Sequence, residues 1–265
     1  MSTLRLSFLG PVRFQRDNQP LDLTIAKMQA LLAYLAVTQS PQDRDHLLDL
    51  LWPESAPDAA RKTLRNALWR LRQTLGHDAI VTKDSTLTLA DGVWTDVGTF
   101  SAQMPGLLVD TTEAEQIETV LRLWRGPLLE NIKLTDAANF ELWLDAERGR
   151  LGQLFVAGLR RLLSAKRATQ EWNELNEVSQ RILAHDETLE DAHRALMEGY
   201  ARFGDRSAAL RQLATLRATL DRELDGVPSL ESQAVYDQIQ AGTLPPHGVK
   251  LAQSRNAAIE SPSSG

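Results

Sequence analysis

A chain of 265 residues, 43% hydrophobic and 24% charged, is long enough for two globular domains and ordinary enough in composition to fill both. It has no cysteine, which excludes disulfides, Cys-ligated zinc and thiol catalysis, and no apolar run near the ~20 residues that span a bilayer. The net charge of −6 argues at first against nucleic acid, yet residues 1–100 carry as many Lys and Arg as Asp and Glu, and the acidic excess lies beyond them.

The N-terminal apolar stretch is too short for a secretory signal, so the expected address is cytoplasmic. Leu4, Leu6 and Phe8 alternate with polar neighbours, Val12 and Phe14 repeat the pattern, and Asp17-Asn18 turns the chain toward Leu21 and Leu23. This spacing predicts three short strands. From Ala26 the period lengthens, and Met28, Leu31, Leu32 and Leu35 predict a helix that breaks near Ser40-Pro41. Asp43 is placed to cap a second short helix bearing Leu47, Leu48 and Leu51, which Trp52-Pro53 ends. Ser55 is placed to cap a third, running to Leu75 and stopped by Gly76.

In that third helix Leu64, Leu68, Leu71 and Leu75 form one apolar stripe. Lys62, Arg65, Asn66, Trp69, Arg70 and Arg72 lie on or beside the opposite face. Residues 58–83 carry Arg61, Lys62, Arg65, Arg70, Arg72 and Lys83 against only Asp58 and Asp78. Such a stripe suits a phosphate backbone, although many basic helix faces are merely solvated. Two strands follow, Ile80–Lys83 and Thr86–Leu89, about a turn at Asp84-Ser85. A hairpin directly after a basic helix is the shape of a winged helix-turn-helix. A second turn at Asp91-Gly92 leads to Val93-Trp94.

Beyond Asp96 the strand signals vanish. A capping box at Thr112 and Glu115 opens a helix through Ile117, Val120 and Leu121 to Trp124, and Arg125-Gly126-Pro127 breaks it. Helical periodicity resumes near Phe140 and reaches Leu224, interrupted near Arg167, Asp186 and Gly204. Leu196, Tyr200, Gly204, Ala208, Leu213 and Leu216 have the spacing of a tetratricopeptide-like helix pair. Trp172, Leu175, Val178 and Ile182 give a weaker copy upstream. Trp52, Trp94 and Trp124 are expected in packing rather than at a cofactor. No catalytic motif stands out: His46, His77, His185, His193 and His247 lack metal-ligand spacing, and His185-Asp186-Glu187 is expected to be a turn.

The order and wording of these segments resemble the Streptomyces antibiotic regulatory protein (SARP) type of activator. In the first half the likeness rests on LRLSFLGPVRF, KMQALLAYLA, DHLLDLLWPE, ARKTLRNALWRLRQTLG and AIVTKDSTLTL. In the second it rests on LRLWRGPLL, ETLEDAHRALMEGYARFGDRSAALRQLATLRATLDREL and PSLESQAVYDQIQAG. The resemblance implies a mainly α protein: an OmpR/PhoB-type winged helix-turn-helix (α+β) followed by an all-α tetratricopeptide-like helical repeat domain. The expected division is a DNA-binding domain over 1–97, a bacterial transcriptional activation domain over 98–242, and a disordered tail or linker over 243–265.

On that likeness Lys62, Arg65, Asn66 and Trp69 face bases or sugar-phosphate, flanked by Arg61, Arg70 and Arg72. Lys83, Thr86 and also Thr88 would contact DNA from the wing. Ala67 and Trp69 depart from the polar or basic residues common at their positions. The implied activity is sequence-specific activation without a cofactor and without catalysis. The expected partners are double-stranded DNA carrying direct repeats, a second copy bound side by side, and RNA polymerase through its sigma or alpha subunit. Two other readings remain open: the DNA-binding end of a larger ATP-dependent (STAND-type) regulator, or a helical-repeat adaptor for other proteins. The expected place of action is the nucleoid.

Overall fold

The computed structural model describes residues 3–109 and 114–244. Thr112 of the expected capping box, and the expected tail from residue 245 on with His247, lie outside the described residues. The chain divides into two compact units, residues 1–165 and residues 166 onward.

The first unit opens as the alternation predicts. Strands β1 (Leu4–Ser7), β2 (Arg13–Arg16) and β3 (Gln19–Leu21) form an antiparallel meander in which Leu4 pairs with Arg16 and Phe14 with Leu21. Asp17 and Asn18 have φ of 51° and 64°, the positive pair that a two-residue hairpin turn of matching twist requires. Leu4, Leu6, Phe8 and Phe14 are buried, and the helix that follows, α1 (Ala26–Thr38), is almost wholly buried from Ala30 to Ala36. Next come β4 (Gln42–Asp43), α2 (Arg44–Leu51), α3 (Pro57–Leu75), a 3-10 turn at His77–Ala79, then β5 (Ile80–Lys83) and β6 (Thr86–Leu89). β5 and β6 form the expected hairpin, and β4 joins β6 as a third strand. Leu47, Leu51, Leu71, Leu75, Ile80 and Leu87, each 2% exposed or less, are the apolar centre that fixes α2 and α3 against the wing.

The Asp43 side chain accepts the Asp45 amide at 2.8 Å and caps α2 as expected. Ser55 does not cap α3. The cap position is Ala56, whose methyl side chain can accept no hydrogen bond, and Pro57 at the first helical position leaves one N–H fewer to satisfy.

After the wing, β7 (Trp94–Thr95) pairs in parallel with β1, completing a sheet of order β3-β2-β1-β7. The helix α4 (Asp96–Val109) has no counterpart in the sequence reading. Gly98, Pro105 and Gly106 lie inside it and read as breakers, yet Val97, Phe100 and Met104 at i, i+3 and i+7 are fully buried. The helix α5 (Ala114–Leu121) ends before the expected Trp124. Leu123 and Trp124 donate to Val120 and Leu121 at 3.1 and 3.2 Å, so the chain tightens and turns. That turn lays Trp124 on Phe155 of α6 (Ala138–Thr169), rings stacked at 4.6 Å. Gly158 of α6 allows Met104 close approach, since a Cβ there would meet its sulfur at 2.8 Å.

A buried carboxylate ties the first strand to this helical part of the unit. Asp96, 2% exposed, accepts the amides of Phe8 at 2.7 Å, Leu9 at 3.0 Å and Val97 at 2.7 Å, and pairs with Arg125 at 3.3 Å. Burial pushes its carboxyl above the ordinary value even against these donors.

The second unit contains α7 (Trp172–His185), α8 (Glu190–Arg202), α9 (Arg206–Leu224) and α10 (Leu230–Ala241). The breaks fall at Gln170, Asp186–Leu189 and Phe203–Asp205, within a few residues of those expected, and His185-Asp186-Glu187 lies at the end of α7. α8 packs against α7 and α9, and α10 covers α8 and α9 around Met197, Leu213, Leu216, Leu220 and Ile239. The weaker copy is buried too: Trp172, Leu175, Val178 and Ile182 all face inward. No helix among the described residues is long and apolar enough to cross a membrane.

Candidate nucleic-acid interface

Helix α3 buries Ala60, Leu64, Ala67, Leu68, Leu71 and Leu75, which fixes the opposite face toward solvent. At 3.6 residues per turn, Lys62, Asn66, Trp69 and Gln73 (i, i+4, i+7, i+11) run along the midline of that free face. Arg61, Arg65 and Arg72 flank it on one side and Arg70 on the other. All eight side chains are exposed except Arg72, which is half-buried.

The flank bearing Arg61, Arg65 and Arg72 borders a groove of about 660 Å³ between α2, α3 and the wing. Leu48, Leu64 and Leu68 form part of its floor, and Arg44, Trp69, His77 and Ser85 also line it. Arg72 donates to the Thr82 hydroxyl at 2.8 Å, tying α3 to β5. Arg61 has only loose ion pairs, 3.5 Å to Asp58 and 3.9 Å to Asp45. Lys62, Arg65, Arg70 and Lys83 form no ion pair among the described residues. Four cations on one side of a small unit, without internal counter-charges, keep their full field for a polyanion.

Two local devices hold this surface in place. At the wing tip Asp84 has φ 51°, and Ser85 donates its hydroxyl to Asp43 at 2.8 Å while its carbonyl accepts the Arg44 amide at 3.0 Å. The Ser85 hydroxyl first, then the Asp45 amide, hold the Asp43 carboxyl below its usual range. At the far end of α3, Gly76 adopts φ 92°, and the Arg16 guanidinium donates to the last carbonyl, Leu75. A side chain at Gly76 would be strained and would meet Arg16 at 2.7 Å.

Residues 109–240 match the bacterial transcriptional activator domain. Over 89% of this chain and 79% of the relative, it is 25% identical to the transcriptional regulatory protein MoaR1 of Mycobacterium bovis BCG. It is 27% identical to the regulatory protein AfsR of Streptomyces griseus over 70% of this chain, spanning a quarter (25%) of AfsR. In fold it is similar to Mycobacterium tuberculosis EmbR, solved in complex with a low-affinity phosphopeptide. The TM-score is 0.67 at 21% identity, covering 91% of this chain and 66% of that one. The chain is a SARP-type transcriptional regulator.

In this SARP-type regulator the residues expected at DNA fall into two groups. Arg61, Lys62, Arg65, Asn66, Trp69, Arg70 and Arg72 share the free side of α3. Lys83 and Thr86 lie at the wing tip, where the Thr86 hydroxyl is engaged with the Lys83 carbonyl at 2.8 Å. Sequence reasoning missed Gln73, which one further helical step beyond Lys62, Asn66 and Trp69 would have found. It also missed Arg44, whose Nε is buried without a hydrogen-bond partner beside the groove. Only the fold brings the start of α2 to the flank of α3.

Proposed function

We propose that this regulator is a sequence-specific DNA-binding activator. Residues 1–97 lay α3 in the major groove, where Asn66, Gln73 and the flanking arginines reach base edges and Lys62 and Lys83 neutralise phosphates. Residues 98–242 contact RNA polymerase through its sigma or alpha subunit and stabilise it at the promoter. Two copies bind direct repeats side by side in head-to-tail order. The observation that carries this reading is the outer face of α3: exposed, cationic, with Lys62, Arg65 and Arg70 in no ion pair among the described residues, and flanked by a clamped wing.

Transcription from a purified promoter template bearing the selected repeats, with RNA polymerase holoenzyme and the full chain, tests it. The chain is expected to raise transcript yield, and displacing one repeat by about half a helical turn, ~5 base pairs, is expected to abolish the gain. DNA binding without any change in transcript would contradict the polymerase contact. Equal binding to one repeat or two would contradict side-by-side assembly.

A further inference from the structure

Trp69 is the anomaly on the α3 face. Large aromatics bury about 150–250 Å² when they pack, yet this one is 63% exposed. Among the described residues it stacks on no ring and forms no hydrogen bond. It lies on the midline between Asn66, one turn before it, and Gln73, one turn after it. A helix seated in the major groove would press this ring against the edges of one or two base pairs.

The chemistry of the ring limits what it can meet there. Indole is an apolar plate with one N–H donor and no acceptor. Against the N4 amino group of cytosine or the N6 amino group of adenine it would leave a desolvated donor unpaired, which is costly. The one apolar group on the groove floor is the C5-methyl of thymine. The carboxamides of Asn66 and Gln73, on either side, have the paired donor and acceptor that match adenine N6 and N7. The midline therefore presents an apolar plate between two adenine-reading groups.

We propose that Trp69 is a specificity-determining residue that reads the C5-methyl group of a thymine in each half-site. The inference rests on the placement of α3 in the major groove proposed above. Its chemistry would also fit 5-methylcytosine, so the operator is first selected from enzymatically amplified DNA, in which thymine alone carries that methyl group.

Each thymine of one half-site is then replaced by deoxyuridine, which removes the methyl and nothing else. Affinity is measured for the full wild-type chain, Trp69→Ala and Trp69→Phe. At one position the wild type should lose about four-fold in affinity, the value of one buried methyl-sized group. Trp69→Ala should bind both duplexes equally, and Trp69→Phe, which keeps an apolar ring but has no N–H, should retain part of the preference. Thermal unfolding that matches the wild type shows that an exposed position was altered without loss of the fold. If no thymine shows a methyl effect that depends on Trp69, the inference is overturned while DNA reading stands. If the chain selects no DNA sequence at all, the seating of α3 falls, and this inference with it.

Discussion

The cations of the two units are used differently. In the second unit Lys166 pairs with Glu171 at 2.6 Å, Arg167 with Glu198 at 2.9 Å, Arg194 with Glu190 at 4.0 Å, and Arg222 with both Glu187 and Glu223. Arg206 donates to carbonyls of α10, and Arg217 donates to Gln233 at 2.7 Å. Among the described residues Arg211, on the exposed side of α9, is the exception. On α3 the order reverses: among the described residues Lys62, Arg65 and Arg70 form no ion pair, and Arg61 has only distant ones. Exposed pairs add little stability, so their value in the second unit is to neutralise its surface. A face left unneutralised keeps its field for a ligand of opposite sign. One surface is neutralised by its own ion pairs and the other is left cationic, within one chain whose net charge, −6, hides both.

The sharpest way to break this contrast is to remove cations from each side in turn. Arg65→Ala combined with Arg70→Ala should weaken operator binding by about 100-fold, at roughly a tenfold loss for each base- or phosphate-bound arginine. The matching loss of Arg194 and Arg222 should leave affinity within about two-fold of wild type, as for a surface change away from the site. Equal losses in gel-shift titrations would erase the distinction.

The second test concerns the joint that holds the first unit together. Asp96→Ala leaves the amides of Phe8, Leu9 and Val97 buried without their acceptor and should destabilise that unit by about 3 kcal/mol in denaturant unfolding. Because burial raises the Asp96 pKa, the folded state favours its protonated form. The proton-linked part of its contribution is therefore complete below the unfolded value and declines as pH rises through the folded one, while the acceptance of the three amides is separate from it. An unfolding free energy unchanged by the substitution would remove Asp96 from the joint.

A smaller effect follows from counterion release. Lys62→Ala should lower the slope of log affinity against log salt by about 1, uniformly across sequences, whereas Arg211→Ala should not. The smallest is local to the second unit. His193, 2% exposed, lies between the Glu187 carbonyl at 2.9 Å and Gln212 at 2.7 Å, and burial lowers its pKa. Its neutral form is favoured in the fold, so stability is lost as pH falls from the ordinary imidazole range through the folded value. Melting curves of wild type and His193→Gln across mildly acidic pH should converge as the wild type loses this advantage.

What the sequence displayed was local. The leucine stripe of α3, the change of period at Ala26, the Asp43 cap and the hairpin at Asp84-Ser85 depend on neighbours a few residues apart, and each is found where the spacing puts it. What it concealed was non-local or locally contrary. The parallel pairing of β7 with β1 and the position of Arg44 depend on contacts far apart in the chain. Helix α4 forms across Gly98, Pro105 and Gly106 because burying Val97, Phe100 and Met104 outweighs poor propensity. In the sequence Asp96 only marks where the strand pattern stops; the fold turns it into a buried acceptor for three amides.

The most direct measurement is selection of genomic DNA fragments on the purified full chain, beside the Arg65→Ala/Arg70→Ala variant, at moderate salt. The account predicts that the wild type recovers one shared direct repeat and that the variant, folded to the same extent, recovers none. Recovery of the same repeat by both proteins, or of no common sequence by either, would contradict the claim that the free face of α3 is the reader.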